Sequence, residues 1–289
     1  MPFDVYLNVA VAGVLTGLVY GLMALGLSVI FGVVRVVNFA HGEMMVLAMY
    51  GVVMLHGALG FDPLAAAPVV ALALFALGYA LQRRVLDRFI GRPEHEQFLL
   101  MLGVATLLTS SMLMAFGPGA VTVDTSYSLD SYEVGGLILD KVRVFASSGA
   151  VLCMALLWTF FRVSRTGKAI RACADNPVGA AVVGLDVSRL YATAFGIGAA
   201  CVGAAGTFLL LLVDVQPYLG GDYTLLSFII VIIGGLGSMP GALLGGLLVG
   251  VSEGLSAYLI APSLKSLSSY ALLILVLLVR PQGLMGRRA

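Results

Sequence analysis

Long apolar runs separated by short polar segments fill most of this chain. An α-helix needs about 20 apolar residues to cross the hydrocarbon core of a bilayer, and fewer where it is broken or buried in a bundle. Only 11% of the residues are charged and the mean hydropathy is +1.05, whereas a soluble domain carries about 25% charged residues. The runs cover residues 7–33, 40–59, 64–82, 97–116, 145–161, 190–213, 224–236, 241–260 and 268–280. The sequence therefore predicts one all-α domain over residues 1–289, a polytopic membrane helix bundle of about eight or nine spanning or partly spanning segments.

The seventh run, residues 224–236, is short and leads into the glycine-rich sequence GGLGSMPGALLGG. A helix of this length is either a thin crossing or a re-entrant half-helix. The glycines also allow two interpretations. Gly234, Gly235 and Gly237 either permit close helix packing or, together with Pro240, leave half-helix ends that point into the bundle and bind charged groups of a ligand.

The basic residues are distributed unevenly between the predicted loops. If nine segments cross and the N-terminus lies outside, only Lys141, Arg143 and Lys265 face the outside. Cytoplasmic loops carry the excess of lysine and arginine in membrane proteins. The sequence thus predicts an outer N-terminus and a cytoplasmic C-terminus, which favours a true crossing by the seventh run. The basic residues on the predicted cytoplasmic side are Arg35, Arg83, Arg84, Arg88, Arg92, Arg162, Arg165, Lys168, Arg171, Arg189, Arg280, Arg287 and Arg288.

Polar residues interrupt the boundary between the first and second runs, in the segment RVVNFAHGEMM. Ionisable side chains at membrane depth cost about 2.5–3.5 kcal/mol on insertion scales and normally face a bundle interior or a wet cavity. One hypothesis is that Asn38, His41 and Glu43 brace a broken helix, softened by Gly42, at the inner end of a translocation pathway. The other is an interfacial hinge, whose polar groups satisfy the freed backbone and contact only lipid head groups.

Other polar and sulfur-containing side chains in or beside the runs predict no cofactor. Tyr20 and Gln97 either contact a substrate or form helix–helix hydrogen bonds. Cys153, Cys173 and Cys201 lie far apart in sequence, with no pair at the spacing of metal ligands. We therefore expect free thiols and neither a disulfide nor a metal site.

Residues 117–144 form the first of two predicted loops that are too long to be simple connections. Apolar and polar side chains alternate there around glycine and serine, which predicts a β-hairpin. The predicted orientation places this hairpin on the outer face, where a soluble partner can dock.

The second long loop, residues 162–189, is basic and contains two predicted helical pieces. Thr166–Cys173 is helical, and a second helix begins with Asn176 as its N-cap and Pro177 at its first position. This helix runs to Leu185, and glycine at position 184 is typical of a helix end. A helix so short needs packing against another surface, which either belongs to another protein or is the lipid head-group layer.

Three stretches of the chain resemble ABC-importer permeases of the branched-chain amino acid family, in the order in which that family has them. They are GLVYGLMALGLSVIFGVVRVVNFAHGEMMVLAMYG, RTGKAIRACADNPVGAAVVGLD and IGGLGSMPGALLGGLLVG. Nearly the whole chain is similar to the first of the two permease subunits of that family. In the second stretch, which resembles the cytoplasmic coupling loop, Val178, Gly179 and Ala180 stand where the general importer pattern has Glu-Ala-Ala.

The resemblance implies a permease in a bacterial inner membrane that carries branched-chain or related hydrophobic amino acids. Urea and short-chain amide permeases share these stretches and are alternatives. The implied partners are a second homologous permease, two cytoplasmic ATP-binding subunits, an extracytoplasmic solute-binding protein and membrane lipid, with no nucleic acid. The residues assigned to ATPase coupling are Arg165, Lys168, Arg171, Asp175, Asn176, Pro177, Ala181 and Gly184, and those assigned to the substrate pathway are Tyr20, Asn38, His41, Glu43, Gln97, Gly234, Gly235 and Gly237.

Two other classes of function, a secondary carrier and a membrane enzyme, fit the sequence less well than an importer subunit. The chain contains no G-x-x-x-x-G-K-[ST] phosphate-binding sequence, so we expect ATP hydrolysis on a separate chain. An ion-coupled secondary carrier would need acidic residues at membrane depth, and only Glu43 and Glu253 are expected there. A membrane enzyme would need a cluster of nucleophile, base or metal ligands, and the sequence predicts none.

Overall fold

The computed structural model describes residues 2–128 and 130–286; Arg287 and Arg288 of the predicted cytoplasmic side lie outside the described residues. Within these ranges the chain forms eleven α-helices and one antiparallel hairpin. The strands are Ser131–Val134 (β1) and Leu137–Asp140 (β2). The helices are Pro2–Val34 (α1), His41–Leu59 (α2), Pro63–Arg84 (α3), Glu94–Phe116 (α4), Lys141–Val163 (α5), Arg165–Asp175 (α6), Pro177–Val182 (α7), Val187–Leu210 (α8), Leu219–Gly234 (α9), Met239–Leu259 (α10) and Lys265–Val279 (α11).

Each of the nine predicted apolar runs is helical, and eight of these helices are long and apolar enough to cross a membrane. The prediction of an all-α polytopic bundle is therefore confirmed. The hairpin predicted within residues 117–144 also forms. Several helices begin before their apolar run because polar residues complete the first turn. For example, α5 begins at Lys141, whose ammonium group lies 2.7 Å from the Asp130 carboxylate.

The short helix α7 ends earlier than its sequence predicts. It stops at Val182 instead of Leu185, because Gly184 adopts a left-handed φ of 86°. The N–H groups of Gly184 and Leu185 then bond back to the carbonyl groups of Ala181 and Ala180, the pattern of a Schellman helix end.

Two sets of four helices, α1–α4 and α8–α11, form most of the bundle. The most extensive contacts join a helix of the first set to a helix of the second. The most extensive helix pairs are α1 with α10 and α3 with α8. The pair α1–α10 is antiparallel and packs backbone to backbone at its glycines. A Cβ on Gly17 would lie 2.7 Å from the Gly246 carbonyl oxygen, and one on Gly13 would lie 2.8 Å from that of Gly250. Such small residues let membrane helices approach closely.

The two ends of the bundle carry different structures. One end, the hairpin end, holds β1, β2, the start of α1 and the start of α3. There the Ile138 N–H donates to Asn8 Oδ1 at 2.8 Å, and the Tyr127 hydroxyl donates to the Asp62 carboxylate at 3.1 Å. Burial and the neighbouring Asp62 raise the pKa of Tyr127 to about 12. The opposite end, the α6–α7 end, holds those two helices and the end of α1.

Helices α2 and α9 begin inside the bundle. His41 Nε2 lies 3.0 Å from the carbonyl oxygen of Met23, which is about three helical turns before the end of α1 at Val34. The chain turns sharply at Arg35, with a φ of 59°, and returns along α1 before α2 starts.

The seventh run lies in a segment that passes through the whole bundle. Before α9, Val215 pairs with Val121 at the hairpin end. After α9, Gly237 packs against Gly32 near the end of α1. Residues 211–234 therefore pass from one end to the other, and the helix forms only the second part of that passage.

Candidate functional site

The first turns of α2 and α9 pack so closely that their backbones are in contact. A Cβ added to Gly42 would lie 1.9 Å from the carbonyl oxygen of Gly220 and 2.7 Å from the backbone nitrogen of Thr224. A Cβ on Gly220 would lie 2.9 Å from the backbone nitrogen of Glu43. We call this region, residues 41–44 and 219–224, the central junction. Because helix N-termini carry free N–H groups and partial positive charge, the central junction favours a negative group.

Glu43 supplies a carboxylate at the central junction. Its side chain is buried, with 6% of its surface exposed. Glu43 Oε2 accepts a hydrogen bond from the Thr224 hydroxyl at 3.2 Å. The same Thr224 oxygen accepts the Gly42 N–H at 2.8 Å. No ion pair of the described residues includes Glu43, and the Thr224 hydroxyl and the backbone of Gly220 lie beside its carboxylate.

His41 and Asn38 are fully buried beside Glu43. His41 Nε2 contacts the Met23 carbonyl oxygen, and its Nδ1 has no partner among the described residues. The tautomer with a proton on Nε2 therefore fits the site. Asn38 Oδ1 accepts the N–H of Ala40 at 3.0 Å, which stabilises the turn into α2. The hypothesis that these side chains contact only lipid head groups is wrong, because their burial places them inside the bundle. Their role in a substrate pathway stays a prediction.

Tyr20 belongs to a second buried polar cluster. Its hydroxyl donates to Glu253 Oε2 at 3.2 Å, and the Ser269 hydroxyl donates to Glu253 Oε1 at 2.8 Å. All three side chains are buried. The cluster joins α1, α10 and α11, and Tyr223 of α9 lies within electrostatic range of Glu253. Sequence reasoning left Glu253 out of the candidate site, although an acidic residue within an apolar run was a usable signal.

Four other predicted pathway residues lie away from the central junction. Gln97 is half-buried and donates to the carbonyl oxygens of Phe89 and Arg92, at 3.1 and 3.2 Å, so it stabilises the turn before α4. Three glycines lie at or just after the end of α9, where the C-terminal segment 283–286 packs against two of them. These are Gly234, Gly235 and Gly237. The helix ends that meet inside the bundle are therefore the starts of α2 and α9, and not the segment that contains these glycines.

Helix α6 is amphipathic and presents a basic face. Its inner face packs against the bundle and consists of Gly167, Ile170 and Cys173. Its exposed face carries Arg165, Lys168 and Arg171. The exposed Asp175 ends the helix and directly precedes α7.

Helix α7 exposes an apolar surface. Asn176 Oδ1 accepts the Gly179 N–H at 2.8 Å, and Pro177 occupies the first helical position. These observations confirm the predicted start of this helix. Ala180 packs inward, whereas Ala181 and Gly184 are exposed. Three neighbouring side chains, which we call the valine patch, are 73–82% exposed: Val178, Val182 and Val183. Exposed apolar patches typically mark surfaces that bind another molecule.

Comparison with known proteins places the chain among transport permeases. Residues 9–277 match the model of the family described as branched-chain amino acid transport system / permease component. The chain is 33% identical over 291 residues to the high-affinity branched-chain amino acid transport system permease protein LivH of Salmonella typhimurium, covering 95% of this chain and 94% of that protein. It is 32% identical over 292 residues to LivH of Escherichia coli K12, with the same coverage. It is 29% identical over 295 residues to BraD of Pseudomonas aeruginosa, covering 98% and 96%.

The family model thus spans the central junction, the second buried carboxylate at Glu253 and the valine patch. The resemblance inferred from three stretches of sequence is confirmed over almost the whole chain. The chain therefore belongs to the branched-chain amino acid transport system permease family.

Proposed function

We propose that the central junction is the part of the translocation pathway that recognises the substrate. The observation that carries this proposal is the buried carboxylate of Glu43 at two helix starts inside a membrane bundle. Buried ionisable groups in membrane proteins mark functional sites, and many carriers bind substrates where helices are broken near the middle of the membrane. Asn38 and His41 stabilise the turn that creates this break.

We further propose that the substrate is a branched-chain or related hydrophobic amino acid. The printed names of the LivH and BraD relatives support this assignment. The chemistry of the site also supports it. The negative charge of Glu43 complements the ammonium group of an amino acid, and the partial positive charge at the N-terminal ends of α2 and α9 complements its carboxylate. Urea and short-chain amides carry neither charge. The observed groups therefore favour an amino acid over these alternatives.

The distribution of charge supports an orientation with the hairpin end outside and the α6–α7 end in the bacterial cytoplasm. Arg165, Lys168 and Arg171 are exposed at the α6–α7 end, in agreement with the excess of basic residues on the cytoplasmic side of membrane proteins. In this orientation, the hairpin end receives an extracytoplasmic solute-binding protein. The α6–α7 end receives one of two ATP-binding subunits on the valine patch. A second homologous permease completes the pathway.

Reconstitution tests this function. We expect uptake of leucine into proteoliposomes that contain this chain, its co-purified permease and ATP-binding subunits, provided that ATP and the solute-binding protein are present. An excess of unlabelled valine should compete, whereas urea and acetamide should not. Uptake by this chain alone, driven by an ion gradient without ATP, would identify a secondary carrier and contradict the proposal.

Glu43→Gln tests the role of the carboxylate within the pathway. The amide keeps the shape and a hydrogen-bonding oxygen but removes the charge that would attract an ammonium group. We expect uptake to fall about ten- to a hundredfold, since a hydrogen bond to a charged group contributes about 1.5–3 kcal/mol. Complex assembly should be unchanged. The matched control is Glu94→Gln, an exposed residue at the start of α4. Normal uptake by Glu43→Gln would remove Glu43 from the pathway.

A further inference from the structure

Thr224 connects the two helices of the central junction through its hydroxyl group. The side chain is buried, with 4% of its surface exposed. Thr224 Oγ1 accepts the Gly42 N–H at 2.8 Å and donates to Glu43 Oε2 at 3.2 Å. A hydroxyl has one proton to donate, so the bond to Glu43 uses the only donor of the Thr224 side chain.

The contact is long-range, because it joins residues that are 181 and 182 positions apart. Thr224 belongs to α9, whereas Gly42 and Glu43 are consecutive residues in the first turn of α2. One side chain therefore fixes both the backbone and the carboxylate of that turn. Ser227 provides a contrast one turn further along α9. Its hydroxyl is equally buried but donates to the Tyr223 carbonyl oxygen at 2.8 Å, within its own helix.

We propose that Thr224 is a positioning residue for transport, whose hydroxyl holds the Glu43 carboxylate across the central junction until a substrate ammonium group takes that carboxylate. This inference rests on the proposed role of Glu43 in the pathway. Donation by Thr224 keeps the carboxylate at the meeting point of α2 and α9, where it can exchange one donor for another. The hydroxyl then still accepts the Gly42 N–H, so α2 stays attached while the carboxylate changes partner.

Three variants in the reconstituted importer test this inference. Thr224→Val preserves the shape and removes both hydrogen bonds, so we expect the maximal uptake rate to fall about tenfold or more, since the loss of a hydrogen bond to a charged group alone has an effect of that size. Thr224→Ser retains the hydroxyl and should restore uptake. Ser227→Ala removes a buried hydroxyl from the same helix and should transport normally. If Thr224→Val does not assemble, Thr224→Cys, a weak donor, takes its place and must show the same loss.

The double variant distinguishes positioning from a merely structural role. If Thr224 acts through Glu43, Thr224→Val should reduce uptake much less in a Glu43→Gln background than in the wild type, because the two residues share one interaction and only the bond to the Gly42 N–H is then lost independently. Normal uptake by Thr224→Val, or a full additional loss in the double variant, would overturn the inference while leaving the pathway role of Glu43 intact. Normal uptake by Glu43→Gln alone would instead contradict the proposed function.

Discussion

We expect Gly42→Ala to abolish uptake and to lower the thermal stability of the purified protein. A Cβ at this position would lie 1.9 Å from the Gly220 carbonyl oxygen and 2.7 Å from the Thr224 hydroxyl oxygen. Backbone atoms of α9 cannot rotate away as a side chain would, so α2 must separate from α9. Overpacking of this kind typically costs about 1–3 kcal/mol, and here it also breaks the Thr224 hydrogen bonds.

Gly57→Ala is the matched control in the same helix. Beyond the adjoining backbone of α2, no atom of the described structure lies within 4 Å of a Cβ added there. Alanine should stabilise α2 at this position by about 0.5–1 kcal/mol, because glycine loses more backbone entropy on forming a helix. Helix propensity alone predicts the same gain at Gly42, so the two variants should change the melting temperature in opposite directions. A Gly42→Ala protein with normal melting temperature and uptake would contradict the close contact.

Ala181→Arg should separate ATP hydrolysis from transport. Ala181 is exposed beside the valine patch, so arginine fits the folded protein but places a charge and a long side chain on the proposed ATPase contact. We expect normal membrane insertion, weakened co-purification of the ATP-binding subunits and residual ATP hydrolysis that the solute-binding protein no longer stimulates. Burial of an unpaired charge in an interface is strongly unfavourable, so uptake should fall below detection.

Ala181→Ser is the control for this surface, because it adds one small polar group and should be nearly silent. Gly184→Trp should also uncouple transport, but it strains the left-handed backbone in addition to adding bulk. Single replacements of Arg165, Lys168 or Arg171 should have smaller effects, since exposed ion pairs contribute only about 0.2–1 kcal/mol. Wild-type coupling in Ala181→Arg would exclude the valine patch as an ATPase contact.

Local sequence patterns accounted for the helices, their order and the family. An apolar run is visible in the local sequence, and its length can be compared directly with the thickness of a bilayer. All nine predicted runs are helical in the structure for this reason. Asn176 and Pro177 predicted the start of α7 correctly because helix capping is a local interaction. The end of the same helix was predicted at Leu185 but lies three residues earlier, at Val182. Val183 is the C-cap, and the left-handed Gly184 that follows it ends the helix. The family was likewise predicted from three short stretches that resemble it and occur in the same order along the chain.

The grouping of the polar residues was decided only by the tertiary structure. Glu43 and Thr224 are separated by 181 positions, and Tyr20 and Glu253 by 233, so no sequence period relates them. The sequence distinguished Asn38, His41 and Glu43 as unusual but left a head-group hinge and a buried break equally open. Burial resolved that choice because it depends on where α1 and α9 pack. A glycine in an apolar helix looks the same at Gly42 and Gly57, and only the position of the neighbouring backbone makes one of them irreplaceable.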